Sequence, residues 1–147
     1  MPEIHDGGCL CGTVRYRVSG APVRTGVCHC RFCQRRTGSA FGFTAYFKRE
    51  DVEITHGSLK AYEHRSDESN RVLLVEFCPT CGTPVSLTAE ALPGTRGVAG
   101  GTFDDPSWLK VERHSWLRSA HSWVIVPPGV ERFAQSSLNP AAPPDQR

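Results

Sequence analysis

At 147 residues the chain is long enough for one domain with a real hydrophobic core and needs no cross-links merely because of its size. Its formal charge of +2, from 17 basic and 15 acidic residues, gives no electrostatic reason to expect a nucleic acid or an anionic membrane as partner. The start, MPEIHDGG, has neither the basic nor the apolar region of an export signal, and no apolar run approaches the roughly 20 residues of a membrane span, so a soluble cytoplasmic protein is expected.

In chain order, the first signal is GGCLCG, where Cys9 and Cys11 stand one residue apart between glycines that relieve the crowding of two such close ligands. Strict alternation then marks a strand, with Val14, Tyr16 and Val18 on one face and Thr13, Arg15 and Arg17 on the other. CHCRFC follows and puts Cys28, Cys30 and Cys33 within reach of one point. A helical turn or two is expected over RFCQRRTG, ending where Gly38 can take a left-handed conformation. Beyond it, FGFTAYF (41–47), VEIT (52–55), LKAYEH (59–64), RVLLVEF (71–77), PVSLT (84–88) and SWVIV (122–126) are short, rich in aromatic and β-branched residues, and bounded by Gly, Pro, Asp or Asn. They predict a mostly β fold of short antiparallel strands, a single domain over 1–133. The remainder, AQSSLNPAAPPDQR (134–147), is polar and proline-rich without periodicity and is expected to be poorly ordered.

There are seven cysteines; the odd count excludes a fully paired intramolecular disulfide framework, and their tight grouping is how metal ligands are distributed. In FCPTCGTP, Cys78 and Cys81 form a Cys-x-x-Cys followed directly by Gly82, which permits the tight knuckle that brings both thiolates to one ion. Joined to Cys9 and Cys11, this pair would make a closed four-thiolate site of structural type; the other split, in which a knuckle borrows two of the trio, leaves thiols idle and is less economical. A thioredoxin-type redox pair would need a βαβ pattern, which the flanking sequence lacks. Cys28, Cys30 and Cys33 are then left without a fourth cysteine. Zinc held by three protein ligands with one open position is the arrangement of catalytic zinc, because water or a substrate can enter the fourth place. The other readings of the trio are a closed zinc completed by His29, His114 or His121, an iron–sulfur cluster, or ordinary reduced cysteines.

The order GGCLCGTVRY, CHCRFCQRRTGS, FCPTCGTPV and HSWLRSAHSW resembles the glutathione-dependent formaldehyde-activating enzyme family, whose domain also occurs in centromere protein V, over roughly residues 7 to 126. The resemblance implies an Mss4-like complex β-tent with two zinc ions. Cys9, Cys11, Cys78 and Cys81 would hold a structural zinc, and Cys28, Cys30 and Cys33 a catalytic one. It also implies a carbon–sulfur lyase that joins glutathione, as co-substrate, to formaldehyde and gives S-hydroxymethylglutathione. The expected partners are therefore a small thiol and a small aldehyde, with no nucleic acid and no membrane.

A zinc with three thiolates carries a formal charge of about −1, so a further thiolate needs compensation. Arg31, Arg35 and Arg36 flank the trio and can supply it, or can clamp the carboxylates of a glutathione-like ligand; a solvated basic face is the plainer reading. Phe41, Phe43, Trp108, Trp116 and Trp123 are candidates for a pocket wall, although aromatic residues at strand spacing more commonly belong to a core. A function of another class is a non-enzymatic zinc module that binds a small thiol or a protein partner.

Overall fold

The computed structural model describes residues 1–138; residues 139–147 of the proline-rich tail lie outside the described residues. The strands are β1 (Ile4–Gly8), β2 (Arg15–Ser19), β3 (Arg24–Cys28), β4 (Gly42–Lys48), β5 (Val52–His56), β6 (Lys60–Arg65), β7 (Val72–Phe77), β8 (Pro84–Ala89), β9 (Thr95–Ala99), β10 (Arg113–Ser115) and β11 (Glu131–Arg132). The helix α1 (Arg31–Thr37) lies between β3 and β4 in the chain and stops at Gly38, whose φ of 65° is left-handed. The fold is thus mostly β, as expected. Among the described residues no helix is long and apolar enough to cross a membrane.

Contacts divide the chain into two compact units, one of Met1–Arg24 with Ala45–Leu109 and the other of Thr25–Thr44 with Lys110 onward. In the first unit β1, β2 and β5 form an antiparallel sheet in that order, and β6 to β9 pair antiparallel with their sequence neighbours. The alternation over 13–18 does what it predicts. Val14, Tyr16 and Val18 have exposures of 0%, 1% and 0%, and they pack with Ala45, Phe47, Val85, Val98 and Phe103. Each such large side chain contributes about 1.5–3 kcal/mol by leaving water. On the opposite face Arg15 pairs with Asp104 and Arg17 with Asp6. Tyr16 is the one core member with a polar end, and its hydroxyl meets Thr102 Oγ1 at 2.8 Å.

The second unit buries far less hydrocarbon. Val27, Cys33, Leu117 and Val126 are buried there beside Thr25, His29, Gln34, Thr44 and His114, so its interior is half polar and depends on hydrogen bonds. Here the strand polarity departs from the antiparallel expectation, since β10 runs parallel to both β3 and β11.

SWVIV (122–126) is not a strand. Val126 is buried while Trp123 and Ile125 are 66% and 87% exposed, so the alternation is present, but the segment joins no sheet. The Val124 amide turns back to the His121 carbonyl, Arg132 Nη1 donates to the Val126 carbonyl, and Pro127 and Pro128 have no amide with which to extend a ladder. Within the described part of the tail, the Ala134 and Gln135 carbonyls accept from the Arg118 and Trp116 amides.

Candidate metal centres

All seven cysteines are free thiols, and their sulfurs gather into two groups: Cys9, Cys11, Cys78 and Cys81 in the first unit, and Cys28, Cys30 and Cys33 in the second. Within each group the sulfurs lie within 4.8 Å of one another, and among the described residues no histidine or carboxylate joins either group. His29, His114 and His121 are therefore not the missing fourth ligand of the trio. Four sulfurs at about 2.3 Å around a tetrahedral zinc would stand about 3.8 Å apart. Cys9 and Cys11 are separated by 3.6 Å and Cys11 and Cys78 by 3.8 Å, so the four-thiol set fits a closed zinc site.

That set is made by one local device used twice. Cys11-Gly12-Thr13 and Cys81-Gly82-Thr83 each end a knuckle, with Gly12 and Gly82 left-handed at φ of 79° and 77°. The turn brings each threonine hydroxyl back to the sulfur two residues earlier, Thr13 Oγ1 to Cys11 at 3.0 Å and Thr83 Oγ1 to Cys81 at 3.1 Å. Amides complete the cradle: Val14 N–H points at Cys9 Sγ, and the Thr80 and Cys81 N–H groups at Cys78 Sγ. The Leu10 amide of one knuckle donates to Thr83 Oγ1 of the other. The Thr83 hydroxyl and backbone draw the Cys81 thiol down to about 5, so this one ligand favours thiolate by itself, whereas Cys78, despite its amide donors, is raised by burial and by its Cys81 and Cys9 neighbours. The recurrence of Cys-Gly-Thr in the sequence is the signal that would have revealed these hydroxyls.

In the second unit β3 delivers Cys28, and the chain then turns into α1. Cys30 is the N-cap residue, and its sulfur accepts from the Cys33 amide at 3.3 Å. His29, between two ligand candidates, points the other way and has no exposed surface. Its amide donates to the Ser115 carbonyl of β10, and its ring Nε2 lies 2.8 Å from His114 Nδ1, with Phe41 edge-on. Gln34 ties the same loop down, donating through Nε2 to the carbonyls of His29 at 2.8 Å and Ser119 at 3.1 Å. These three polar side chains brace the loop that carries the trio, an arrangement that composition and spacing did not reveal. Alternation through Cys28-His29-Cys30 is the signal that could have found His29.

Charge in the trio is unevenly shared. Contact with the Cys28 and Cys30 thiols, helped by Arg36, holds Cys33 well below the ordinary thiol range against the effect of burial. Cys28 is pushed well above it by its two neighbours and by burial. Cys30 is favoured as a thiolate by Cys28 but raised more by Cys33 and burial, to about 11. The surroundings by themselves support one thiolate, and three together need a cation. That donor set, converging on one point, fits a zinc held by three sulfurs.

The three arginines separate. Arg31 and Arg35 are exposed on α1, with Arg31 Nη1 donating to Gln34 Oε1, while Arg36 turns inward toward Cys33 Sγ at 3.9 Å. Of the five aromatic candidates, Trp108 belongs to the first unit and Phe41, Phe43, Trp116 and Trp123 to the second. Trp108 stacks on His5 at 3.7 Å and packs on Phe103 and Phe47 in the first unit. In the second unit Phe41 faces His29, Trp123 is exposed, and Trp116 is left-handed at φ of 58° with Arg118 over its ring.

The sequence profile of the glutathione-dependent formaldehyde-activating enzymes matches residues 4–119, which include both sulfur groups. Among solved structures, the chain is similar to the crystal structure of a Rhodobacter sphaeroides protein from a structural genomics effort. The identity is 24% and the TM-score 0.55, with 72% of this chain and 96% of that one covered, a likeness of fold.

Proposed function

The chain belongs to the glutathione-dependent formaldehyde-activating enzyme family, and from that premise we propose that it is a cytoplasmic carbon–sulfur lyase that adds glutathione to formaldehyde to give S-hydroxymethylglutathione. The observation that carries the proposal is the convergence of Cys28, Cys30 and Cys33 with no histidine or carboxylate joining them among the described residues. In the reaction the thiol sulfur bonds to the formaldehyde carbon, the carbon–oxygen double bond becomes single, and the thiol proton ends on the new hydroxyl.

Zinc bound at the trio would supply the positive charge that lowers the pKa of an incoming thiol, so that the nucleophile is ionised at neutral pH. The chain's own part is to hold and to orient. Cys28 at the end of β3, with Cys30 and Cys33 at the first turn of α1, would hold such a zinc through three sulfurs, so that a thiol could supply the fourth ligand. Exposed Arg31 and Arg35 on α1 are the side chains available to meet the glutathione carboxylates with guanidinium forks. Holding the thiol beside the aldehyde converts a bimolecular encounter into a local one.

The test is exchange NMR of glutathione with formaldehyde in the presence of zinc-loaded protein, chelator-stripped protein, and zinc-loaded Cys28→Ser. Acceleration by the zinc-loaded wild type alone is expected. Equal rates in all three samples overturn the enzymatic reading, and glutathione binding without acceleration marks a binding module instead.

A further inference from the structure

Arg36 is one of three arginines beside the trio, and its surroundings set it apart. It stands three residues after Cys33, on the same face of α1. Its Nη2 lies 3.9 Å from Cys33 Sγ and 3.4 Å from Thr44 Oγ1, and the guanidinium carbon sits 5.9 Å from the centre of the Phe32 ring. Its Nε is buried without a hydrogen-bond partner, so the group is held inward at some cost. The approach also depends on Gly42 of β4. A Cβ there would lie 2.8 Å from Arg36 Nη2, 3.3 Å from Cys33 Cβ and 3.4 Å from Cys33 Sγ. The strand leaves out a side chain at the one place where the guanidinium reaches the sulfur.

Three thiolates around a divalent ion sum to about −1, and a fourth thiolate would take the centre to about −2. Like charge in a half-buried site opposes that step. A guanidinium is always charged, weakly hydrated and planar, which suits it to a slot between an aromatic face and a hydroxyl where an ammonium would lose more hydration. We propose that Arg36 is a positioning residue that balances the charge of the three-sulfur centre, so that the open position admits an anionic sulfur. This rests on reading the trio as a metal centre with one open position. It assigns Arg36 to the protein's own sulfur and leaves the substrate carboxylates to other groups.

The experiment uses the full chain with cobalt(II) in both centres, titrated with 2-mercaptoethanol, glutathione and imidazole while the cobalt absorption bands are followed. In Arg36→Met and Arg36→Gln both thiols should bind more weakly by roughly tenfold to a hundredfold, the scale of a charged hydrogen bond. Imidazole, which is neutral, should bind as in the wild type. Arg36→Lys should recover part of the thiol affinity, and it supplies the comparison if the neutral variants fold poorly. Equal losses for thiols and imidazole would reduce Arg36 to a packing role. A loss confined to glutathione would make it a carboxylate clamp, and unchanged affinities would remove it from the site; each of these overturns the proposal. Wild-type protein that takes up two cobalt ions but shows no thiol band at the trio overturns the open-site reading itself, a failure visible before any variant is made.

Discussion

Around Cys9, Cys11, Cys78 and Cys81 the polypeptide aims its own donors at sulfur, with two threonine hydroxyls and three backbone amides. Around Cys28, Cys30 and Cys33 the donors are the Cys33 amide and the Arg36 guanidinium, and the loop is braced from behind by His29, His114 and Gln34. The first arrangement satisfies each thiolate locally and closes on itself. The second reaches two of its three sulfurs, Cys30 and Cys33, with one donor each, and spends its other polar groups on fixing the loop. On the proposed function, the difference teaches that the number of sulfurs is not the only thing that separates a structural from a reactive centre. What the rest of the chain does for those sulfurs separates them as well.

The comparison is broken most directly at the knuckles. Cys78→Ser removes one of four ligands from a site that joins the segment before β2 to the turn between β7 and β8, and zinc bound there would contribute folding free energy outright. The expected outcome is loss of the cooperative melting transition, followed by circular dichroism, together with loss of bound zinc. A normal melt for this variant would mean that the four-thiol group is not a structural centre.

Cys28→Ser is the matching change in the other centre, and the expectation is reversed. The protein should stay folded, retain one zinc of two, and accelerate the glutathione–formaldehyde reaction no more than stripped protein does. Metal analysis beside a melting curve checks both halves. Retention of full activity would end the catalytic assignment of the trio.

A finer cut concerns the hydroxyls. Thr83→Val keeps the shape of the side chain but removes a donor to Cys81 and the acceptor of the Leu10 amide, so it should cost about 1–3 kcal/mol. Thr13→Val removes a single contact at an exposed residue and should cost less. Chemical denaturation measures both, and zinc release to a competing chelator should quicken in the same order. Equal, negligible effects would show that the repeated Cys-Gly-Thr is incidental to the site.

Much of this was legible in the sequence because ligand spacing and strand alternation are local signals. Cys-x-Cys and Cys-x-x-Cys carry their geometry with them, β2 announces itself by apolar alternation, and β4 to β8 by aromatic and β-branched residues between turn residues. The strands that escaped notice, β1 (IHDGG), β3 (RTGVC), β9 (TRGVA), β10 (RHS) and β11 (ER), are short, several hold glycine, and none has an apolar face of its own. They are strands because a neighbour pairs with them. SWVIV has the opposite history, with the right residues and no neighbouring strand. Which arginine meets a sulfur depended on two further facts, the phase of α1 and the missing side chain at Gly42. The first follows from the i, i+3 relation of Cys33 and Arg36, whereas the second becomes visible only when β4 lies beside the helix.

The smallest expected effect is a pH dependence seated in the unit that carries the trio. His114 is buried, and burial, with Arg132 adding to it, holds its pKa below the ordinary value of 6.5. The unfolded chain therefore takes up this proton at a higher pH than the folded chain does. As pH falls through 6.5 the unfolded state is favoured first, and stability declines until the folded-state pKa is passed, below which the loss is complete. The groups facing the ring are His29, 2.8 Å away, and Arg132, whose charge opposes protonation. His114→Asn should therefore flatten the fall of melting temperature between about pH 7 and pH 5, relative to wild type at equal zinc occupancy. Its melting temperature at pH 7.5 should be lower, because the hydrogen bond to His29 is weakened. An unchanged slope would remove His114 as a source of the acid sensitivity. The two centres would then differ in their donors but not in how the chain behind them responds to protons.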